Sequence, residues 1–536
     1  MLSLCEFAGL RKHPALPPAV LAVSLFCACS HTTGDWPAAA LESITPDHVH
    51  RNIFYLASDT MRGRNTPSPE LDTAAEFIAR EFARDGLRPV NGSYFQRVNL
   101  NIVNLGEPNA LRIRSGSGEK SYEIKTDFSP FEITSNSTAR GQIVFAGYGI
   151  TAPQYHYDDY AGIDAKGKIV FVLRHEPGED DSSSVFLGAA PTEYSSVATK
   201  VRIAREHGAV GVMVATDPLN HSSLAPRGFP WPSFSRIIPR DALPLTLGEE
   251  EREKIPVVHV GEGVISQLFG GVDSLKALQR QIDTRLVPHS YPIAGAEAFI
   301  QTSTEIRDMS ASNVVGVLPG GDPALKSETV IVGAHYDHLG YLKQHAPGAR
   351  YIFNGADDNA SGTCALLEVA SALGTLPSPP RRTILLIAFS GEEKGLFGSE
   401  YYARHPLFPL NSTVAMLNMD MVGMNGEDTL FLIGSEGSPD IARIAREEDA
   451  RVGFVLVDQK EPRGTGSDHM SFMKRNIPDL FFHSGLESVY HTVNDRPENI
   501  DTRKVARTAS LVFLTAYHIA GDSSHYRYLP VTIPMF

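Results

Sequence analysis

Two adjacent glutamates, Glu392 and Glu393, follow the apolar, strand-like stretch at residues 383–389. One carboxylate of such a pair can bind a metal ion while its neighbour transfers a proton. Their spacing alone does not show which glutamate has which role. Four further segments contain candidate partners for a metal ion, namely His335 and Asp337 in GAHYDHLG, Asp358 in NGADDNASG, Asp420 in NMDMVG and His491 in VYHTVND.

The composition of this ligand set indicates which cation it would bind. Two histidines and three carboxylates from separate loops suit a divalent cation, and zinc accepts both imidazole nitrogen and carboxylate oxygen. Cysteine is absent from the set, which argues against a structural zinc site. Because five protein ligands exceed what one tetrahedral catalytic zinc needs beside its water, we expect two Zn²⁺ ions, about 3.5–4 Å apart.

Length and composition restrict the class of protein. The chain has 536 residues, 42% of them apolar and 21% charged, which is typical of a soluble globular protein with two or three domains. Its net charge of −14 argues against a nucleic-acid partner, because binding phosphates requires a basic surface.

Residues 1–29 have the features of an export signal. Two basic residues precede the apolar run 19–28, which has the length of a signal-peptide core and is too short to span a bilayer. The run ends in LFCAC, which resembles a bacterial lipobox except for its phenylalanine and first cysteine. We predict lipidation and membrane anchoring at Cys29, with ordinary cleavage nearby or an uncleaved anchor as alternatives. The protein would then be periplasmic, anchored in the outer membrane, or secreted.

The predicted secondary-structure pattern divides the rest of the chain into three segments. From about residue 312 onward the chain alternates strand, loop and helix, which predicts a mostly parallel sheet with helices on both faces, and we assign residues 291–525 to the domain that carries the candidate metal ligands. In such sheets ligands bind beyond the carboxyl ends of the strands, where the candidate metal ligands lie. Residues 43–138 begin with an amphipathic helix predicted over 71–86. Residues 139–290 contain short β-like runs, a helix over 197–207 and a proline-rich loop, and they form a separate module.

Six motifs in a fixed order carry a resemblance to a known family: GAHYDH, NGADDNASG, FSGEEKGLFGS, NMDMVG, SDHMSF and YHTVND. They are similar to those of the zinc-dependent aminopeptidase family that includes aminopeptidase Y and relatives of glutamate carboxypeptidase. The resemblance covers about residues 43–135 and 312–518. It implies the zinc exopeptidase fold, an α/β fold whose mixed, mostly parallel sheet is sandwiched by helices. The stretch YGITAPQYHYDDYAGIDAKGKIVFVLR resembles the protease-associated domain, a small β-rich insert, and HGAVGVMVATD fits the later helix–strand segment of that domain. The resemblance implies such an insert over residues 139–290.

The resemblance also implies how the metal ligands are shared. Asp358 would bridge the two ions. His335 and Asp420 would complete the site of one ion, and Glu393 and His491 that of the other.

Three more residues receive roles from the resemblance. Glu392 would be the general base, taking a proton from a metal-bridging water and passing it to the leaving amine. Asp337 would orient a ligand histidine, and Tyr490 would stabilise the tetrahedral oxyanion.

Several neighbouring residues compete for these roles. We interpret His338 as a loop residue near the site, and Asp357 as a surface or helix-capping carboxylate. Asp468 and His469 are expected to shape the site without binding metal. Asp495 is either a partner that orients a ligand or a turn residue.

Cys364 is the only one of the four cysteines outside the export segment, so no disulfide framework is expected. It lies in an apolar run and is interpreted as a small core residue.

The sequence thus predicts an exported two-zinc aminopeptidase that acts on peptides, in which the insert limits access or helps to bind substrate. A carboxypeptidase of the same fold would need basic side chains, such as Arg350 or Arg463, to hold the carboxylate of its substrate. A non-catalytic, receptor-like binding protein is a third reading, and a one-zinc glutaminyl cyclase a weaker one. Side-chain preference, oligomeric state and the role of the insert stay open.

Overall fold

A computed structural model describes residues 37–529, except 117, 180, 182–183, 187–191, 227–242, 249–252, 343–345 and 461–465. The predicted export segment with Cys29, and Arg463, lie outside the described residues. The elements that follow lie in one compact unit, Ala39–Phe536. No helix in the described part of the chain is both long and apolar enough to cross a bilayer.

A large mixed sheet, here the peptidase sheet, has nine strands within the described residues. The four strands at its centre are parallel to one another, and their flanking neighbours are antiparallel to them. In spatial order the strands are Thr246–Leu247, Phe95–Leu105, Thr304–Leu318, Thr383–Phe389, Thr329–His335, Thr413–Met419, Asp479–His483, Thr429–Ile433 and Val455–Gln459.

Helices cover both faces of the peptidase sheet because its central strands are apolar on both sides. Val330 and Val332 pack on one face, and Ile331 between them packs on the other, as the two-residue period of a strand requires. The helices of the first face are Pro46–Leu56, Pro69–Arg84, Gly362–Gly374, Pro439–Asp449 and Thr502–Gly521, and those of the second are Phe397–Arg404 and His469–Met473. The predicted mixed α/β fold class is confirmed.

The helix predicted over 71–86 is present as Pro69–Arg84. Ser68 caps it, since its hydroxyl accepts a hydrogen bond from the amide of Leu71 at 3.1 Å. Its apolar face lies in the core of the peptidase sheet, as the spacing predicts. Cys364 is a fully buried, free cysteine in Gly362–Gly374, as expected.

A second sheet, here the insert sheet, has eight strands within the described residues and its own hydrophobic core. In spatial order they are Gly118–Tyr122, Ala110–Ser115, Ser290–Thr302, Ser137–Ala146, Ile169–Leu173, Gly211–Ala215, Val257–Val260 and Phe128–Pro130. The helices Val197–Glu206, Glu262–Phe269 and Val272–Arg285 pack against this core. The sheet draws on residues 110–302, whereas the predicted insert covers 139–290.

Continuous extended backbone joins the two sheets. The strand Ser290–Thr302 of the insert sheet is followed after Ser303 alone by the strand Thr304–Leu318 of the peptidase sheet. The chain also passes between the sheets at residues 106–109, which connect Phe95–Leu105 of the peptidase sheet to Ala110–Ser115 of the insert sheet. The side chain of Asn109 joins this connection to Ser303, because it accepts a hydrogen bond from the Ser303 amide at 2.8 Å and donates one to the Ser303 carbonyl at 3.1 Å.

Candidate metal centre

The first group of predicted ligands meets at the carboxyl ends of the central parallel strands. His335 is the last residue of its strand, and Asp420 follows the last residue of the neighbouring one. The Nε2 atom of His335 lies 3.2 Å from Oδ1 of Asp420 and 3.3 Å from Oδ1 of Asp358. Three of the five predicted ligands therefore converge on one point.

The second group uses the other oxygen of the same aspartate. Oδ2 of Asp358 lies 3.1 Å from Nε2 of His491, which in turn lies 3.2 Å from Oε2 of Glu393. The carboxylate of Asp358 thus faces one group with each oxygen, as a bridging ligand would.

The spacing and burial of these atoms fit a zinc-type cation. Ligands bound at 2.0–2.1 Å in a tetrahedron are about 3.3 Å apart, close to the distances in both groups. Nε2 of His335 and Oδ1 of Asp420 are buried and make no hydrogen bond within the described residues. Because buried polar atoms normally have partners, a cation between them would satisfy both.

His338 is closer to this centre than the sequence interpretation assumed. Its side chain is fully buried, and Nδ1 lies 2.6 Å from Oε1 of Glu393 and 3.8 Å from Oδ2 of Asp358. These three side chains could themselves hold an ion. Glu393 is therefore contacted by two histidines, His338 on one oxygen and His491 on the other, and the distances of His491 are the closer match to the tetrahedral spacing.

The interpretation of Asp357 as a surface or helix-capping carboxylate is wrong. Asp357 is completely buried, and its Oδ1 accepts a hydrogen bond from the amide of Gly423 at 2.7 Å. Asp495, also buried, accepts from the amides of Asp357 at 2.8 Å and Asp358 at 3.1 Å. Asp495 therefore orients the segment that carries Asp358. This is the first of the two roles considered for Asp495, that of a partner that orients a ligand.

Asp337 positions the general-base candidate more directly than it positions a histidine. Its Oδ1 accepts from the amide of Glu392 at 3.1 Å, and its Oδ2 accepts from the Thr66 hydroxyl at 2.9 Å. Nδ1 of His335 lies 3.2 Å from the backbone oxygen of Asp337 but 3.6 Å from its carboxylate. The backbone carbonyl is thus the nearer partner of the histidine ring.

Arg64 is a buried positioning residue that the sequence did not reveal, because it lies in a loop of turn-forming residues without periodicity. Its guanidinium donates to four carbonyl groups, those of Leu56, Tyr336, Asn354 and Gly355. Burial lowers its pKa, and the carboxylates of Asp495 and Asp337 partly offset this effect.

The two adjacent glutamates differ in their electrostatic surroundings. Burial raises the pKa of Glu392 well above its usual range, and Glu393 and Asp420 raise it further, although His335 opposes them. Burial and Asp358 also oppose the ionisation of Glu393, but His491 and His338 lower its pKa to about 2. Surroundings that separate two carboxylates in this way are typical of an acid–base group beside a permanently charged one.

A cavity opens beside the centre. Met421, Ile433, Phe481 and Leu486 provide an apolar wall, and no lysine or arginine lines the part formed by the described residues. Asp358, Glu392, Asp420, Tyr490 and His491 form the wall next to the metal ligands.

The remaining site candidates lie around this cavity. The ring of Tyr490 stacks on His491 with centroids 3.8 Å apart, and burial together with nearby carboxylates raises its pKa. Asp468 and His469 are buried and belong to neither ligand group among the described residues. Arg350 is exposed, with Nη1 3.4 Å from Oδ1 of Asn494, and does not line the cavity.

Residues 313–516 match Peptidase family M28. This match covers less than half of the chain. The M28 segment contains the five predicted ligands together with Glu392, so the geometric centre and the family assignment fall on the same residues.

Two curated relatives match more of the chain at low identity. Aminopeptidase YwaD of Bacillus subtilis is 29% identical over 220 residues, 39% of this chain. The probable glutamate carboxypeptidase LAMP1 of Arabidopsis thaliana is 28% identical over 331 residues, 55% of this chain. This chain spans 45% and 46% of the lengths of these relatives.

The fold of the M28 segment and of the rest of the chain has a counterpart among solved structures. An aminopeptidase from Aneurinibacillus sp. strain AM-1 superimposes with a TM-score of 0.54 at 22% identity, covering 93% of this chain and 98% of that one. The two proteins share a fold over nearly their whole lengths.

Proposed function

We propose that this protein is a two-zinc aminopeptidase that removes an apolar residue from the N-terminus of a peptide. The observation that carries the proposal is the position of Glu392, whose carboxylate points at the ligand cluster, 3.9 Å from Nε2 of His335, at the edge of an apolar cavity. One ion would be held by His335, Asp420 and Asp358, and the other by Asp358, Glu393 and His491.

The chemistry assigns each group a separate task. The bound cations supply Lewis acidity, lowering the pKa of water and polarising the scissile carbonyl. Glu392 would accept a proton from the attacking water and pass it to the leaving amine. The carboxylate of Asp337 holds Glu392 in place by accepting a hydrogen bond from the Glu392 backbone amide. Tyr490, on the cavity wall, is the candidate donor to the developing oxyanion.

The cavity favours an aminopeptidase over a carboxypeptidase. A free α-ammonium group would meet the carboxylates of Glu392 and Asp420, whereas no lysine or arginine among the described lining residues would meet a terminal carboxylate. The wall formed by Met421, Ile433 and Phe481 suits an aliphatic or aromatic first side chain, because burying it there removes apolar surface from water.

The decisive assay compares leucine p-nitroanilide with its N-acetylated form. We expect hydrolysis of the free amine only, abolished by a chelator and restored by Zn²⁺. In Glu392→Gln, kcat should fall by about 10²–10⁴-fold with the zinc content unchanged. Glu436→Gln, an exposed glutamate, is the matched control and should keep wild-type activity. Preference for the acetylated substrate, or full activity of Glu392→Gln, would overturn the assignment.

The competition between two histidines for the second ion needs its own measurement. His491→Ala should lose one zinc per chain. His338→Gln should retain both ions, because the amide can still donate to Glu393. Loss of zinc from His338→Gln with none lost from His491→Ala would exchange the two roles.

We also propose, on the sequence of residues 1–29 alone, that the chain is exported and lipidated at Cys29. Growth of a Gram-negative host with a labelled fatty acid should label the wild-type protein but not Cys29→Ser. An unlabelled wild-type protein would refute the lipid anchor.

A further inference from the structure

We propose that the insert sheet carries a metal site of its own, in which His175, Glu179, Asp217 and His221 bind a divalent cation of the zinc type. These four side chains lie outside the M28 segment and take no part in the reaction proposed above. Their ligand atoms lie within 4.8 Å of one another.

The topology of the insert sheet brings the four residues together. The strands Ile169–Leu173 and Gly211–Ala215 are parallel neighbours, with Leu173 opposite Ala215. His175 and Asp217 each lie two residues beyond these strand ends, and are therefore adjacent. Glu179 and His221 each follow four residues later, and the amide of His221 donates to the carbonyl of Asp217 at 3.3 Å.

The distances form a closed set of nitrogen and oxygen atoms. Nδ1 of His175 lies 2.5 Å from Oδ1 of Asp217 and 4.0 Å from Oε2 of Glu179. Nε2 of His221 lies 3.1 Å from the same glutamate oxygen and 3.4 Å from Oδ2 of Asp217. Because tetrahedral zinc ligands are about 3.3 Å apart, His175 and Asp217 would separate by about 0.8 Å on binding.

One carboxylate oxygen of the cluster accepts no hydrogen bond from the described residues, which favours a cation beside it. Asp217 is completely buried, yet its Oδ2 makes no hydrogen bond to any described residue. A buried carboxylate oxygen that accepts no hydrogen bond is costly, and a cation beside it removes that cost.

Both segments of the cluster are held in place from outside. Nζ of the buried Lys200 donates to the carbonyls of His175 at 2.5 Å and Tyr148 at 2.6 Å. Gln279 accepts from the amide of Leu219 at 2.8 Å, just before His221. The ligands are thus positioned before any ion binds.

The ligand types select the class of cation. Two imidazoles and two carboxylates suit zinc and similar transition metals better than calcium or magnesium, which prefer oxygen ligands alone. His175 and His221 are 22% and 34% exposed, so an ion can reach the site from solvent, whereas Glu179 and Asp217 are buried beneath them. Such an ion would cross-link the two loops, as structural zinc does.

Counting zinc in the full chain tests this site independently of the peptidase centre. After loading and desalting, His221→Ala should contain one zinc fewer per chain than wild type and hydrolyse leucine p-nitroanilide at an unchanged rate. His289→Ala, an exposed histidine beside the insert sheet, is the matched control and should lose none. Equal zinc content in wild type and His221→Ala would show that the cluster holds protons only, and would overturn the proposal.

Cobalt gives a second readout that does not depend on activity. In Asp358→Asn, whose peptidase centre is weakened, added Co²⁺ should still give the visible absorption of a tetrahedral ion. Adding His221→Ala to that variant should abolish it. A Co²⁺ spectrum unaffected by His221→Ala would also refute the site.

Discussion

Replacing Arg64 by methionine tests whether this buried cation organises the metal centre. Two of its four hydrogen bonds reach carbonyl groups 272 and 291 residues away in the chain, those of Tyr336 and Gly355. Methionine keeps much of the volume but leaves up to four buried carbonyls unpaired, at about 1–3 kcal/mol each. The variant no longer has to take a charged guanidinium out of water when it folds, which offsets part of this loss. We therefore expect the free energy of unfolding to fall by about 3–5 kcal/mol.

The effect should also reach the metal ligands. Tyr336 lies between His335 and Asp337, and Gly355 begins the segment that leads to Asp358, so the variant should bind zinc more weakly than wild type. Urea unfolding followed by far-UV circular dichroism, with and without chelator, separates the stability effect from the metal effect.

The matched control is Arg80→Met, whose side chain is 62% exposed. Its ion pair with Glu76 is a solvated helix pair, and we expect a change within about 0.5 kcal/mol. A loss below about 1 kcal/mol in Arg64→Met, with full zinc content, would refute the organising role.

Two further predictions test burial at other positions of the peptidase fold. Glu368 is 2% exposed, and burial raises its pKa to about 7, although its carboxylate accepts from the amide of Thr45. The folded state therefore binds more protons than the unfolded state between about pH 4.5 and 7, and the free energy of unfolding falls as pH rises through this window. Glu368→Gln should match wild type at pH 4 and be more stable by about 1–3 kcal/mol at pH 8, measured by urea unfolding, and an equal difference at both pH values would contradict this. Gly362→Ala should lower both the melting temperature and the zinc content, because a Cβ there would lie 2.4 Å from the Met419 carbonyl, next to Asp420. The control is Gly521→Ala, where nothing lies within 4 Å of an added Cβ. Because alanine is the better helix former, this variant should be neutral or stabilising. A neutral or stabilising effect of Gly362→Ala would refute the steric argument.

The ligand positions could be predicted from sequence because strand ends are local features. The apolar runs before His335 and Asp420 marked parallel strands, and side chains just beyond such strands share one edge of the sheet. The helices predicted over 71–86 and 197–207 differ from the observed Pro69–Arg84 and Val197–Glu206 by at most two residues at either end, as capping and fraying allow.

The supporting residues could not be predicted because distant contacts define them. Arg64 lies in a loop without periodicity, and only the folded chain shows that it bonds to residues on both sides of the centre. Asp357 and Asp358 are adjacent aspartates, and the sequence offered no sign that both are buried. Asp495 holds their amides across 138 and 137 residues of chain. The sequence likewise did not separate the roles of Glu392 and Glu393, which differ through the histidines and carboxylates that fold around them.

The junction between the sheets determines how the insert can respond to load. The strand Ser290–Thr302 passes through Ser303 into Thr304–Leu318, which pairs with the strand leading to Glu392. A force on the insert sheet would act along extended, hydrogen-bonded backbone, because Ser303 alone separates the two strands and no flexible linker lies between them. The insert is therefore mechanically coupled to the strand that leads to Glu392, the proposed general base.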